Sequence, residues 1–208
     1  LFVTFEGIEA SGKSTLLEAL AERLRSEGVS LVTTREPGGT PLGARIRQLV
    51  LAPDEWVAPA AEALLMTADR AQHVAELIRP ALERGTWVLC DRFATATLAY
   101  QGYGHGVPLE DLRRVIAVAT EGLEPDVILL VDIPIEVSQS RVASRSAQSG
   151  RLADRMERED GAFHTRVRDG YLALARENPR MHVLDGLQPV ESLLRRALEI
   201  VRSEGSEG

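Results

Sequence analysis

Residues Gly7-Ile8-Glu9-Ala10-Ser11-Gly12-Lys13-Ser14 read GIEASGKS and lie between two patterned segments. Before them runs the apolar stretch Leu1–Phe5, which predicts a strand. After them, Leu16, Leu17, Leu20 and Leu24 recur at helical spacing over Ser14–Glu27, and Gly28 closes the helix. Gly-x-x-x-x-Gly-Lys-Ser in that strand-to-helix setting constrains the fold strongly. Successive backbone N–H groups must turn inward around an anion, so glycine is needed where a side chain would clash or φ is positive. The helix starting near Lys13 adds the positive end of its dipole. Lys13 is the only lysine, so 23 of the 24 basic residues are arginine. A compact ammonium on a flexible stem fits a small phosphate-binding loop, whereas a planar guanidinium does not.

The rest of the chain alternates strands and helices. Val29–Thr34 is a second strand, followed by the Pro- and Gly-dense loop Arg35–Gly43. A long helix is predicted over 58–84, with a kink at Pro80, before a short strand at Trp87–Cys90. Leu109–Glu121 is helical, Asp126–Val131 is an apolar run suited to a strand buried on both faces, and Met181–Leu184 gives a fifth strand. Strands separated by helices imply an α/β fold: a five-stranded parallel sheet flanked by helices in three layers. With the phosphate loop, this is a P-loop NTPase architecture, with ligands gathered at the C-terminal ends of the strands. Residues 141–160, polar and rich in Ser and Arg, are expected to form a mobile lid. Arg202–Gly208 is expected to be a flexible tail, and the whole of 1–208 one domain.

A net charge of −7 argues against broad nucleic-acid binding, which needs a basic face. No long apolar run suggests a membrane span, and a cytoplasmic protein is expected. Cys90, the lone cysteine, excludes an internal disulfide and reads as a buried small residue; the four histidines lack metal-ligand spacing. Nucleotide binding is therefore expected from Gly7 through Thr15, with the Ser14 hydroxyl as a Mg²⁺ ligand. A guanine-nucleotide switch is excluded, because its Asn-Lys-x-Asp reader needs a second lysine.

Six stretches in order, FEGIEASGKST, TREPGGT, ALLMTADRAQHV, DRFATATLAYQG, PDVILLVDIP and ADRMERED, resemble the thymidylate kinase family. The resemblance implies an ATP:dTMP phosphotransferase and a homodimer, for which the apolar residues of Ala58–Val74 and Val115–Val118 are candidates. It makes Arg35 and Arg92, each at the end of a strand, ligands of the acceptor phosphate, and gives Asp91 a part in orienting Mg²⁺. Arg70 would hydrogen-bond the thymine ring, and Thr97, Tyr100 and Gln101 would meet the base edge and sugar. Met66 stands where relatives often carry a stacking phenylalanine, and Ala96 replaces a common serine. Glu9 would approach the 3′-hydroxyl of the acceptor sugar.

The phosphate loop carries no arginine, which is the bacterial-type arrangement in which the lid supplies a catalytic one. Arg151 is the first choice, with Arg155 and Arg145 as alternatives. The competing reading is a P-loop kinase of another nucleotide or nucleoside.

Overall fold

The computed structural model describes residues 1–52, 56–149 and 154–205. Five parallel strands form one sheet in the order β2-β3-β1-β4-β5, with β1 at Phe2–Glu6, β2 at Leu31–Arg35, β3 at Trp87–Asp91, β4 at Val127–Asp132 and β5 at Met181–Asp185. Every residue of central β1 is buried, as are five of the six in β4. Edge strands β2 and β5 are only partly covered, so polar residues enter them: Thr33, Thr34 and Arg35 in β2, His182 and Asp185 in β5.

Helices cover both faces. On one, α1 (Lys13–Ser26) and α9 (Val190–Gly205) pack Leu16, Leu20, Leu24, Ala197 and Val201 against Val3 and Phe5. On the other, α8 (Gly161–Glu177) brings Phe163, Val167 and Tyr171 against Ile128 and Leu130. Near the β3 end, Val74, Ile78 and Phe93 enclose Phe2. Consecutive residues of β1 thus feed opposite layers, as the two-residue period of a strand requires.

Several sequence expectations change. The helix predicted over 58–84 is α3 (Pro59–His73), a π-helical segment Val74–Ile78, then α4 (Arg79–Glu83). The irregularity lies upstream of Pro80, whose missing N–H cannot bond one turn back. A helix absent from the sequence reading, α2 (Pro41–Leu51), begins inside the Pro- and Gly-rich stretch. Thr40 caps it by accepting from the Gly43 N–H at 3.0 Å, and Pro41 takes the first helical position. A short α5 (Ala94–Thr97) runs into a π-helical segment Leu98–Gly104, and α6 covers Leu109–Thr120.

The expected lid is in part regular: α7 runs Ile135–Ser149 and so takes in 141–149. The expected tail also begins as helix, because Arg202–Gly205 complete α9 and Arg202 bonds Glu27 at 2.8 Å. Cys90 is buried as expected, burial pushes its thiol well above the usual range, and its Sγ donates to the Arg92 carbonyl at 3.0 Å.

Candidate active site

The phosphate loop joins β1 to α1 at the C-terminal edge of the sheet. Gly7 has φ 140°, and a Cβ there would lie 2.5 Å from the Val131 carbonyl oxygen, so both backbone conformation and β4 demand glycine. Gly12 has φ 100° in open space, so only its conformation does. The loop is braced from α7: Ser138 Oγ donates to the Glu9 carbonyl at 2.7 Å, and Arg141 Nη1 reaches the carbonyls of Ala10 and Ser11 at 3.2 and 3.3 Å. Arg141, placed at the start of the expected lid, is therefore a brace for the loop.

A cavity of about 360 Å³ opens beside this loop. Glu9, Ala10, Lys13 and Ser14 line one side; Arg35, Asp91 and Arg92 line another; Met66, Tyr100 and Gln101 continue it. Lys13 is buried, which together with Arg92 repulsion lowers its ammonium to about 8, against the pull of Asp91, Glu9 and Glu6. Polyphosphate would restore the full charge. Ser14 Oγ donates to Asp91 Oδ2 at 2.6 Å, joining α1 to the end of β3. A hydroxyl and a carboxylate together make the oxygen-only donor set that suits Mg²⁺, an ion that otherwise keeps water and phosphate ligands. Among the described residues no group of three or more His, Cys, Asp or Glu side chains gathers to hold a metal by itself.

Arg92 is the most constrained residue of the site. Its φ is 70°, in the left-handed region that a bulky side chain seldom enters. Its Nη1 donates to Tyr171 Oη at 3.0 Å, and its Nη2 to Glu9 Oε1 at 3.1 Å and Tyr100 Oη at 2.9 Å. The guanidinium also lies 4.7 Å from the Tyr100 ring centroid. Tyr100 Oη donates to Glu9 Oε1 at 2.7 Å. Burial opposes charge on Glu9, but Arg92 and Lys13 outweigh it and hold the carboxyl below its usual range. The Arg35 side chain, by contrast, is exposed and makes no hydrogen bond or ion pair with the described residues.

Arg70 and Thr97, expected at the base, lie deeper than the side chains that line the cavity. Both are fully buried behind the cavity wall. Arg70 donates through Nε to Glu36 Oε2 at 2.8 Å, through Nη1 to Thr97 Oγ1 at 3.0 Å and through Nη2 to the Phe93 carbonyl at 2.9 Å. Three of the five N–H donors of the guanidinium thus join the loop after β2 to α5. His73 continues the network, 2.9 Å from Glu36 Oε1 and 2.7 Å from Thr34 Oγ1, and Asp69 accepts from the Gly38 N–H at 3.0 Å. Burial, then repulsion from Glu36, raises the Asp69 carboxyl to about 6.

Of the arginines expected in the lid, Arg151 lies outside the described residues. Arg155 lines the cavity, bonding Glu62 and donating through Nε to the Val50 carbonyl at 3.0 Å. Arg145 also lines the cavity and pairs with Glu157. Sequence reasoning missed Glu6, Glu36, Arg47, Glu62 and Tyr171. Glu62 holds Gln101 Nε2 at 2.5 Å as well as Arg155. A carboxylate among apolar helix residues, as at Glu62, was the available signal.

The match to known proteins follows the same order of elements. The family model for thymidylate kinase matches residues 5–197. A thymidylate kinase of Carboxydothermus hydrogenoformans is 50% identical over 192 residues, covering 92% of each chain. One from Pseudomonas entomophila is 51% identical over 197 residues, covering 94% of this chain and 91% of its own. The crystal structure of thymidylate kinase from Ehrlichia chaffeensis superposes with a TM-score of 0.78 at 31% identity, over 97% of this chain and 98% of that one. A family model matched over residues 5–197, together with relatives about half identical across more than nine-tenths of the chain, places this chain in the thymidylate kinase family.

Proposed function

We propose that the chain transfers the γ-phosphoryl group of ATP to dTMP, with the roles assigned to its own residues as follows. The observation that carries this reading is the opposition, within one cavity, of Lys13 on the phosphate loop and Arg92 in its cage. The loop N–H groups and Lys13 hold the ATP phosphates. Arg92, with Arg35 swinging from the exposed end of β2, holds the dTMP phosphate in line. A phosphate oxygen of dTMP bonds to the γ-phosphorus as the bond to the β,γ-bridging oxygen breaks, and ADP leaves with the electron pair. Ser14 and Asp91 would hold Mg²⁺, which supplies positive charge to the phosphates.

Glu9 and Tyr100 fit the sugar: a carboxylate held charged beside a phenol can accept from a 3′-hydroxyl, and the Tyr100 ring crowds the 2′ position. Met66 and Gln101 complete the base pocket, while Arg70 and Thr97 act from behind by fixing its wall. An arginine of the 141–160 lid, Arg151 or Arg145, neutralises the moving phosphoryl group, and Arg155 instead pins that stretch to Glu62. Leu64 on α3 and Val118 on α6 are exposed at 57% and 81%; we assign them to the homodimer face, which sedimentation of Val118→Arg as a monomer would check.

The deciding experiment is an acceptor screen with MgATP and dTMP, dUMP, AMP, CMP or GMP. Strong preference for dTMP is expected. Equal use of the others, or turnover of another acceptor alone, would replace this reading with a kinase of different specificity.

A further inference from the structure

Glu6 is completely buried at the end of β1, and Tyr171, on α8, is 1% exposed. Neither lines the cavity. A buried carboxylate there is costly unless its oxygens find donors, and each finds one. Glu6 Oε1 accepts from the Phe93 N–H at 2.9 Å, and Glu6 Oε2 accepts from Tyr171 Oη at 2.9 Å. Both bonds bear on the same neighbour. Phe93 directly follows Arg92, whose backbone is held at φ 70° with its own N–H on the Phe5 carbonyl at 2.9 Å. Tyr171 Oη, while donating to Glu6, accepts from Arg92 Nη1. One carboxylate therefore fixes the backbone beside Arg92 directly and its guanidinium through a phenol.

We propose that Glu6 and Tyr171 are positioning residues for recognition of the acceptor phosphate: they hold Arg92 in a strained backbone conformation and a single side-chain orientation without touching the acceptor. The proposal rests on the reading of Arg92 as the phosphate ligand. It follows from the direction of the hydrogen bonds. A phenol that donates to Glu6 has its lone pairs free for Arg92, so the chain carboxylate, hydroxyl, guanidinium runs one way. Phenylalanine at 171 removes the middle link. Glutamine at 6 can still accept from the Phe93 N–H, but the amide it presents to Tyr171 donates, which leaves the phenolic hydrogen without its acceptor.

Affinities of dTMP and of thymidine, which lacks the phosphate, are measured by calorimetry at pH 8.5, above the value of about 7 to which burial raises the Glu6 carboxyl so that it accepts from Tyr171, for the full chain and for Tyr171→Phe, Glu6→Gln, the double variant and Arg92→Met. Tyr171→Phe and Glu6→Gln should each weaken dTMP by about tenfold while changing thymidine by less than about twofold and leaving KM for ATP unchanged. The double variant should be little worse than the worse single one, since both act along one path. Equal weakening of dTMP and thymidine would mean a merely structural role and overturn the proposal. So would unchanged dTMP affinity in Tyr171→Phe and Glu6→Gln when Arg92→Met loses it. If Arg92→Met itself leaves dTMP affinity unaltered, the assignment of Arg92 fails, and the two failures are distinguished.

Discussion

The phosphate loop and the acceptor wall face one another across a single cavity, yet they are built in opposite ways. The loop is nine consecutive residues, Gly7–Thr15, whose conformation is set by Gly7 and Gly12 and whose proposed binding groups belong to the backbone. The wall is made of side chains far apart in sequence: the Glu6–Tyr171 bond closes a separation of 165 residues, and Tyr100 reaches Glu9 across 91. A contiguous backbone device can tolerate change around it but not within it. A dispersed side-chain cage spreads its task over several contacts, and its members are coupled.

The largest expected effect lies in the loop. Lys13→Arg should lower turnover by about a thousandfold while leaving the fold and melting temperature near wild type, because the larger guanidinium loses the compact contact made in the transition state. A coupled kinase assay alongside circular dichroism checks this, and near-normal turnover would break the contrast with the wall. Next is Arg70→Met, behind the wall, which should cost about 3 kcal/mol or more of stability in urea unfolding. It takes the guanidinium from Oε2 of buried Glu36 and leaves that carboxylate only His73, whereas Lys13→Arg spares stability.

Glu6 sharpens the comparison through pH. Burial, opposed by Arg92, the Phe93 N–H and Tyr171, raises its carboxyl to about 7 from 4.5. Between those values the folded chain keeps a proton that the unfolded chain has released, so stability falls as pH rises through that window. Relative to Glu6→Gln, the wild type should lose up to roughly 3 kcal/mol between pH 4.5 and 7. Parallel denaturation curves at each pH test this, and a pH-independent difference would show that Glu6 stays charged throughout. The smallest effect is expected from Met66→Phe, which should tighten dTMP by about 1 kcal/mol through a stacking face, with no change in KM for ATP. Unchanged or weaker dTMP binding would mean that Met66 is wall packing only.

How much was legible follows the same division. The central strands stood out because burial on both faces leaves apolar runs, interrupted only by Thr4 in Leu1–Phe5 and continuous over Val127–Val131. Helix α2 did not, since its Pro- and Gly-rich start reads as a turn, although Thr40 followed by Pro41 was a cap signal. Lys13, Ser14, Arg35, Asp91 and Arg92 converge because strand ends in a parallel sheet share one edge. Arg70 matched its motif, but burial and three donor bonds, none visible in sequence, put it behind the cavity.

The sequence alone determined the backbone device: glycine spacing, the strand before it and the helix after it are local facts, governed by sterics within a few residues. Only the tertiary structure decided which carboxylates and phenols would cage Arg92, and that Arg155 would bond Glu62. Those pairings depend on how helices from distant parts of the chain dock on the sheet, and hydrogen bonds formed across such docking leave no periodic trace along the chain.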